Sequence, residues 1–461
     1  MRLFNQHLNQ NPQLGLRRLF IIGGLLFIAV LAFAASQRQL ILVLLLPFGI
    51  GIVLAFLRWP PLGLVLAFVA GFVVPYSGPS GLNAAMILVA LLLGFWLLEM
   101  VVRRQQIQLA PSRPVWPLLV FLAASAISLG VGQLPWYAFA LHAPLGAQLG
   151  GFAIVVLSAG TFMLMANQVR DLGWLKVVTW AFLAFSALAI LLKTVLPDLG
   201  LVLTERLIQE IGAVFYIWVV SLAFSQAWLN QDLHPGWRLA LVGLVLITVY
   251  NELILRYANK SGWIPILVCI AAIIAMRSWR VGLVVLPISA VVLLIMKTAI
   301  VGSEDYSIST RFDAWLLLAQ MIKVSPLLGL GFANYYWYAP LFPIRGYAVS
   351  FNSHNNYLDI IAQTGLVGLG CFLWFLWELG KLGWQLRERA PAGFAKAYVY
   401  GALGGLAGTI VVAMLGDWVL PFFYNVGLAG FRSSMLSWLF LGGLVSLEQM
   451  VISQKYTAAQ E

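Results

Sequence analysis

The chain has 461 residues, of which 62% are hydrophobic and only 9% are charged, whereas a soluble globular protein carries about 25% charged residues. Because so many apolar residues can be buried only with the help of a bilayer, the composition excludes a soluble fold and predicts an all-α polytopic membrane protein. The net charge of +11 is typical of basic residues that anchor cytoplasmic loops, so we expect no nucleic-acid partner.

About 14 apolar stretches follow one another along the chain, each near the length of a helix that crosses a membrane. They lie near residues 19–36, 40–57, 62–76, 82–101, 115–134, 149–168, 175–196, 212–229, 237–254, 262–276, 281–300, 357–380, 397–416 and 424–447. Because the third stretch is short, about 12 or 13 spans are the alternative.

The distribution of basic residues predicts the orientation of these spans. With the N-terminus in the cytoplasm, 17 of the 27 basic residues fall on the cytoplasmic side, and both termini are then cytoplasmic. Ten others fall on or near the outer side, against this rule: Arg38, Lys193, Arg206, Arg256, Lys260, Lys297, Arg311, Lys323, Arg345 and Arg432. These ten charges need another explanation.

One long connection, over residues 301–356, interrupts the spans on the outer side. The helices over 1–300 and 357–461 are expected to form one domain around it. Connections of this length are usually functional or disordered, and apolar residues at helical spacing argue against disorder. These residues are Phe312, Trp315, Leu316, Ala319 and Ile322, and an aromatic run over 335–338 follows them. We predict an interfacial helix and then an aromatic segment.

His354 is the most informative of the four histidines, because it directly precedes the span that begins near Tyr357. Ser353 is expected to cap that helix. The positive end of the helix dipole would lower the pKa of the imidazole and keep the ring neutral, as a general base requires near pH 7. The alternative is a histidine that only forms hydrogen bonds at a helix end.

Four of the outer basic residues stand where connections meet spans: Arg206, Arg256, Lys260 and Arg311. Cations that converge near a helix N-terminus suit a polyanion such as a diphosphate, which guanidinium groups bind through paired hydrogen bonds. The alternative is anchoring to lipid headgroups together with local ion pairs, such as Arg311 with Asp313 or Arg206 with Glu210.

The sequence lacks several familiar cofactor and metal motifs. It has neither a Walker A loop nor an Asp-x-Asp or His-Glu-x-x-His motif. The acidic residues of the outer side also lack the spacing of metal ligands; they are Glu252, Glu304, Asp305, Asp313 and Asp417. We therefore expect no cofactor and no metal ion, with arginines neutralising a diphosphate instead.

Four segments of the long connection and the following span occur in a fixed order: Ser309–Trp315, Ser325–Asn334, Ser353–Leu358 and Gln363–Gly368. Their order and spacing over about 60 residues closely resemble the signature of the O-antigen ligase and polymerase superfamily. In addition, Lys260-Ser261-Gly262 resembles the Ser-Arg-Gly element of that superfamily, with its charge displaced.

The resemblance implies a bacterial inner-membrane glycosyltransferase of the GT-C type, with its active site on the periplasmic face. It implies transfer of a glycan from an undecaprenyl-type polyprenyl diphosphate to a hydroxyl of a lipid-linked acceptor sugar, among membrane lipids. His354 matches the catalytic histidine of the family, and Arg311 matches its loop arginine.

From these matches we expect transfer with inversion and without a metal ion. Arg311 would bind the diphosphate together with other outer basic residues, namely Arg206, Arg256 and Lys260. Asn355 and Asn356 are expected to orient the acceptor, with capping or packing as the alternative.

Several activities remain as alternatives at this stage. Within the superfamily these are an O-antigen or exopolysaccharide polymerase and a protein O-oligosaccharyltransferase, which differ from a ligase in their acceptor. A transporter of lipid-linked glycans belongs to another class, because it moves its substrate without making a glycosidic bond.

Overall fold

The computed structural model describes residues 58–75, 78–194, 211–278, 280–281 and 305–458. The chain divides into two units, Met1–Pro60 and Pro61–Glu461, and nearly all described residues belong to the second. The predicted spans near 19–36 and 40–57, nearly all of the span near 281–300, and Arg206 lie outside the described residues.

The described residues form helices and no strand. The helices are α1 (Pro60–Val73), α2 (Ala84–Leu98), α3 (Val115–Val131), α4 (Leu145–Gln168), α5 (Leu172–Thr194), α6 (Ala213–Leu229), α7 (Pro235–Tyr250), α8 (Lys260–Arg277), α9 (Asp305–Ile322), α10 (Asn334–Tyr338), α11 (Asn356–Arg389), α12 (Phe394–Leu415) and α13 (Phe431–Ala458). Single π-helical segments, Glu99–Arg104 and Asn251–Leu255, extend α2 and α7.

Among the described residues, eight helices are long and apolar enough to cross a membrane, and three shorter apolar helices accompany them. Together they correspond to eleven of the predicted spans, so the predicted all-α polytopic membrane fold is confirmed. The predicted helix of the long connection is also present, as α9.

The last predicted span, near 424–447, begins later than expected. α13 starts only at Phe431, because the chain between α12 and α13 turns at Gly427, where φ is +62°. Glycine adopts this left-handed conformation without the steric cost that other residues meet. Residues 424–427 therefore belong to a loop, and Leu428–Gly430 form a 3-10 turn that leads into α13 beside the cavity described below.

Small residues let the central helices approach one another closely. A Cβ atom on Gly405 of α12 would lie 2.5 Å from the indole of Trp218 on α6, and one on Gly408 would lie 2.4 Å from Sγ of Cys269 on α8. Glycines at helix contacts serve this purpose in membrane bundles, where close packing replaces the hydrophobic driving force.

Helix α11 is broken at Gly365, where φ is +70° and ψ is −172°. The break leaves backbone groups without partners in the helix, and the segment 326–331 provides them. Leu330 and Gly331 donate to the carbonyls of Ala362 and Gln363, at 2.8 and 3.1 Å. In return, the N–H of Leu366 donates to the carbonyl of Pro326 at 2.9 Å. Polar backbone groups inside a membrane protein require such partners.

The glycines of these two segments make the close approach possible. A Cβ on Gly365 would lie 2.1 Å from the carbonyl oxygen of Leu327, and Gly329 and Gly331 adopt φ values of +73° and +86°. The segments 325–334 and 363–368, which are separate motifs in the sequence, are thus one structural unit. This unit separates a short N-terminal half of α11, which follows His354, from the long half that ends at Arg389.

Candidate functional site

A cavity of about 580 Å³ lies where the ends of several helices meet. It is lined by residues before α6, near the start of α8 and on α9, by His354 before α11, and by residues from the end of α12 to the start of α13. His354 and Arg311, which the sequence identified, both line it. Asp417, Asn425 and Arg432 line it as well.

His354 stands in a tight turn just before α11, with a φ of +48°. The expected cap of that helix, Ser353, is not the capping residue, since Oδ1 of Asn355 accepts hydrogen bonds from the N–H groups of Tyr357 and Leu358, at 3.0 and 3.4 Å. Ser353 instead holds the turn, because its Oγ accepts from the N–H of Asn355 at 3.0 Å. The imidazole is thus carried by a turn that these hydrogen bonds stabilise.

A network of buried hydrogen bonds holds this turn in place. The hydroxyl of Tyr335 donates to Oδ1 of Asp359 at 2.6 Å and accepts from the N–H of Ser353 at 3.3 Å. Oγ of Ser353 donates to the same carboxylate oxygen at 2.7 Å. The indole of Trp315 on α9 donates to the carbonyl of Ser353 at 2.7 Å. The backbone before His354 is therefore held on both its N–H and its carbonyl side.

Arg311 lies one helical turn before Trp315 on α9, so both side chains reach the turn of His354. Its Nη1 donates to the carbonyl of Leu415 at 3.5 Å. The alternative ion pair of Arg311 with Asp313 is not formed. Asp313 is two residues further along the helix and faces elsewhere, and it pairs with Arg345 at 2.7 Å.

The surroundings of His354 lower the pKa of its imidazole below the ordinary value of 6.5. Burial is the main cause, the positive charge of Arg311 adds to it, and the charge of Asp417 opposes it. The expected direction is therefore confirmed, although burial and an arginine, rather than a helix end, are the main causes. A neutral ring is available to accept a proton near pH 7.

Asp417 and Asn425 belong to the loop between α12 and α13, close to the imidazole. The buried carboxylate of Asp417 accepts from the N–H of Phe422 at 2.9 Å and from Nδ2 of Asn425 at 2.7 Å. Burial raises the pKa of this carboxyl group, while these hydrogen bonds lower it. Nδ2 of Asn425 also lies 3.5 Å from Nδ1 of His354.

A family model described as O-antigen ligase matches residues 144–373, which include α4, α9, His354 and the broken part of α11. This chain belongs to the O-antigen ligase and polymerase superfamily. A comparison with curated proteins finds no match.

Ten cavity residues of this superfamily member lie beyond the matched region, among them Asp417, Asn425 and Arg432. Sequence reasoning placed none of them in the site. Asp417 was noted only as an acid without metal-ligand spacing, and Arg432 only as one of the outer basic residues. Both did carry a signal, because a charge beside an apolar span is unusual and needs a reason. Asn425 carried none.

The other predicted diphosphate ligands are less close to the cavity of this superfamily member. Arg256 does not line it, and its Nη1 contacts Oε1 of Glu252 at 3.2 Å and the hydroxyl of Tyr216 at 3.3 Å. Lys260 begins α8, between two residues that do line the cavity, Asn259 and Ser261. Arg206 lies outside the described residues.

Asn355 and Asn356, expected to orient the acceptor, do not line the cavity. Asn355 caps α11, as described above. The amide of Asn356 is fully buried, and it accepts from the N–H of Val419 at 2.8 Å and donates to the carbonyl of Leu420 at 2.7 Å. Because these backbone groups occupy its amide, Asn356 fixes the loop after α12, in line with the packing alternative, and its role toward an acceptor stays a prediction.

Within the described ranges, no three side chains of His, Cys, Asp or Glu lie close enough together to hold a metal ion. The cavity instead combines two guanidinium groups with one imidazole and one carboxylate. Guanidinium groups bind phosphate oxygens through paired hydrogen bonds, and a neutral imidazole accepts a proton. The arrangement therefore suits a reaction in which a proton is removed close to a phosphate group.

Proposed function

We propose that this protein is a membrane glycosyltransferase that moves a glycan from a polyprenyl diphosphate, of the undecaprenyl type, to a hydroxyl of a lipid-linked acceptor sugar, as an O-antigen ligase does. The main support is that one cavity contains the two arginines Arg311 and Arg432 together with His354, whose pKa is lowered by burial and by Arg311. Membership of the O-antigen ligase superfamily supports the same reaction class.

In the proposed step, the acceptor hydroxyl passes its proton to His354 while its oxygen bonds to the anomeric carbon of the donor glycan. The bond from that carbon to the diphosphate breaks, and the diphosphate leaves with the electron pair. Attack from the side opposite the leaving group inverts the anomeric configuration. A diphosphate is a good leaving group, so we assign no general acid and no metal ion to this step.

We place the diphosphate between Arg311 and Arg432, whose positive charges would stabilise the charge that develops on the leaving group. Gly430 and Ser433 also line the cavity, at the N-terminal end of α13, where backbone N–H groups favour an anion. Lys260, which begins α8, is a further candidate for a phosphate contact, whereas Arg256 forms an ion pair with Glu252.

The distribution of basic residues supports an orientation with both termini in the cytoplasm, and membership of the superfamily supports a placement in the bacterial inner membrane. We therefore place the cavity on the periplasmic side, where a glycan assembled on a lipid carrier would be presented for transfer. A polymerase, a protein O-oligosaccharyltransferase and a transporter of the same lipid-linked glycan are the other outcomes that an experiment must separate.

The test is an assay of purified protein in nanodiscs with an undecaprenyl-diphosphate glycan and EDTA. Core lipopolysaccharide without O-antigen, a second lipid-linked glycan and an acceptor peptide are offered separately. We expect a product with the core lipid, and we expect His354→Ala to lower its formation about a thousandfold or more. His142→Ala, which changes a histidine outside the cavity, is the matched control.

The product that forms distinguishes the possible activities. Elongation of the lipid-linked glycan alone would indicate a polymerase, and a glycosylated peptide would indicate a protein O-oligosaccharyltransferase. Relocation of the glycan lipid without any new glycosidic bond would replace the proposal with transport. Transfer that is unchanged in His354→Ala would remove the histidine from the mechanism.

A further inference from the structure

The contact between Asn425 and His354 determines which ring nitrogen can accept a proton. The amide nitrogen Nδ2 of Asn425 only donates hydrogen bonds, and Asp417 fixes its orientation by accepting from it at 2.7 Å. The same nitrogen lies 3.5 Å from Nδ1 of His354, which favours the tautomer in which Nδ1 is the accepting atom of this pair. The hydrogen of the neutral ring is then on Nε2, and Nδ1 has the free electron pair.

This long contact leaves room for a third group. Two atoms 3.5 Å apart can both lie about 2.9 Å from one further oxygen, which is the ordinary length of a hydrogen bond. A hydroxyl at this point would accept from Nδ2 of Asn425 and donate to Nδ1 of His354. Such a hydroxyl would be oriented by the amide and deprotonated by the imidazole.

An aromatic shelf is formed by Tyr336, Trp337 and Tyr424, and Tyr424 directly precedes Asn425 in the chain. The rings of Tyr336 and Tyr424 stack at 4.5 Å between centroids, with an interplanar angle of 18°. The indole nitrogen of Trp337 donates to the hydroxyl of Tyr424 at 2.7 Å, and 37% of Trp337 is exposed.

The hydrogen bond of Trp337 distinguishes this shelf from ordinary interfacial anchoring. A tryptophan of a membrane interface usually points its N–H to headgroups or water. Here the N–H is used within the protein, which fixes the indole ring in place. A preorganised, partly exposed aromatic face beside an amide suits a sugar ring, which presents C–H groups on one face and hydroxyls at its edge.

We propose that Asn425 and the aromatic shelf form the subsite for the acceptor sugar, with the ring of the sugar on Trp337 and Tyr424 and its reacting hydroxyl between Asn425 and Nδ1 of His354. The subsite deepens the proposed function and rests on it. The reacting hydroxyl gives its proton to Nδ1, its oxygen bonds to the anomeric carbon of the donor, and the diphosphate leaves with the electron pair.

The first measurement needs no substrate. Nitrogen NMR of protein with ¹⁵N-labelled histidine reports which ring nitrogen is protonated, and only four histidines contribute signals. The signal of His354 is assigned by its loss in His354→Ala. We expect an unprotonated Nδ1 at neutral pH; a hydrogen on Nδ1 would overturn the assignment of the accepting nitrogen.

The second measurement compares acceptor and donor kinetics in nanodiscs, for Asn425→Ala and Trp337→Ala. Because one hydrogen bond or one ring contact is worth about a tenfold change, we expect the KM for the acceptor to rise about tenfold. The KM for the undecaprenyl-diphosphate donor should change less than about twofold, and the melting temperature should stay within a few degrees. Trp377→Ala, at a position on α11 that is 66% exposed, is the matched control and should change neither KM.

Two acceptor probes separate the possible sources of the sugar: core lipopolysaccharide without O-antigen in one arm, and a second undecaprenyl-diphosphate glycan in the other. If Trp337→Ala raises the KM for the acceptor in either arm, the result supports the subsite and identifies that acceptor as its ligand. An equal rise in the donor KM, or an acceptor KM that does not change in either arm, would overturn it. Tyr424→Phe keeps the ring and removes only the partner of the Trp337 indole, so it should give a smaller rise in the same KM.

Direct binding of each probe without donor separates this inference from the proposed function. Suppose that the protein transfers no glycan but binds the acceptor, and that Trp337→Ala weakens this binding. That result would support the subsite and contradict the transferase. If the protein transfers the glycan and Trp337→Ala leaves acceptor binding unchanged, the result would support the transferase and contradict the subsite. Binding of neither probe to the unaltered protein would contradict the subsite.

Discussion

Two arginines close to the cavity have very different surroundings. Arg256, after the π-helical end of α7, lies 3.2 Å from the buried carboxylate of Glu252 and 3.3 Å from the hydroxyl of Tyr216. Arg311, on α9, contacts the carbonyl of Leu415 at 3.5 Å and has no carboxylate partner among the described residues.

The difference indicates separate tasks for the two side chains. A guanidinium paired with a buried carboxylate has most of its charge compensated, and it also protects that carboxylate from being buried alone. A guanidinium that faces a cavity with only a carbonyl partner keeps its charge available for an anion. Arg311 is therefore expected to serve the reaction, and Arg256 the fold.

The strongest test of this contrast is Arg311→Gln. It removes a charge that we place beside the leaving group, so we expect kcat to fall about a hundredfold or more. Arg311→Lys keeps the charge but loses the paired geometry, so its loss should be smaller, about tenfold. A turnover number that is unchanged in both variants, measured with saturating donor in nanodiscs, would show that Arg311 only anchors the surface.

The same pair of variants makes a prediction on pH. The charge of Arg311 helps to lower the pKa of His354, so Arg311→Gln should raise that pKa. Because the base acts only when it is neutral, the acidic limb of the rate profile should move to higher pH in Arg311→Gln. It should stay in place in Arg311→Lys, which keeps the charge. Profiles that coincide for both variants and the unaltered protein would contradict the electrostatic coupling.

The position of α9 can be tested at Trp315. Trp315→Phe keeps the ring but removes the N–H that holds the carbonyl of Ser353, so we expect kcat to fall about tenfold with little loss of stability. Trp374→Phe, on a partly exposed face of α11, is the matched control. Equal rates for the two variants would mean that α9 does not fix the histidine turn.

The smallest effect on turnover is expected at Arg256. Arg256→Gln should leave kcat within about threefold but lower the melting temperature, since Glu252 is then buried without its partner. The double variant Glu252→Gln with Arg256→Gln should recover most of the lost stability, because no uncompensated charge remains. A large loss of turnover at an unchanged melting temperature would instead place Arg256 in the donor site.

The sequence predicted much of the fold because hydropathy alone marks a membrane helix. Eleven predicted spans match described helices, and α9 lies where its periodicity indicated. His354 and Arg311 were found because each stands beside a recognisable local signal, a span that begins or a loop motif. Both line the same cavity.

The rest of the site depends on tertiary contacts, which local sequence patterns do not predict. Asp417 and Asn425 reach His354 only because the loop between α12 and α13 folds over the start of α11. The buried contacts of the Asn356 amide could not be predicted for the same reason, since spacing does not show which way a side chain points. Its partners, the backbone groups of Val419 and Leu420, are more than 60 residues away in the chain.

The break in α11 also has a mechanical consequence. A membrane helix tilts when the thickness of the bilayer changes, and a rigid helix transmits that tilt along its whole length. Here the long half of α11 begins only after Gly365, and the short half is bound to the segment 326–331 and, through Asp359, to Ser353. The joint would absorb the tilt before it reaches His354, so the same active-site geometry would persist in thin and thick bilayers.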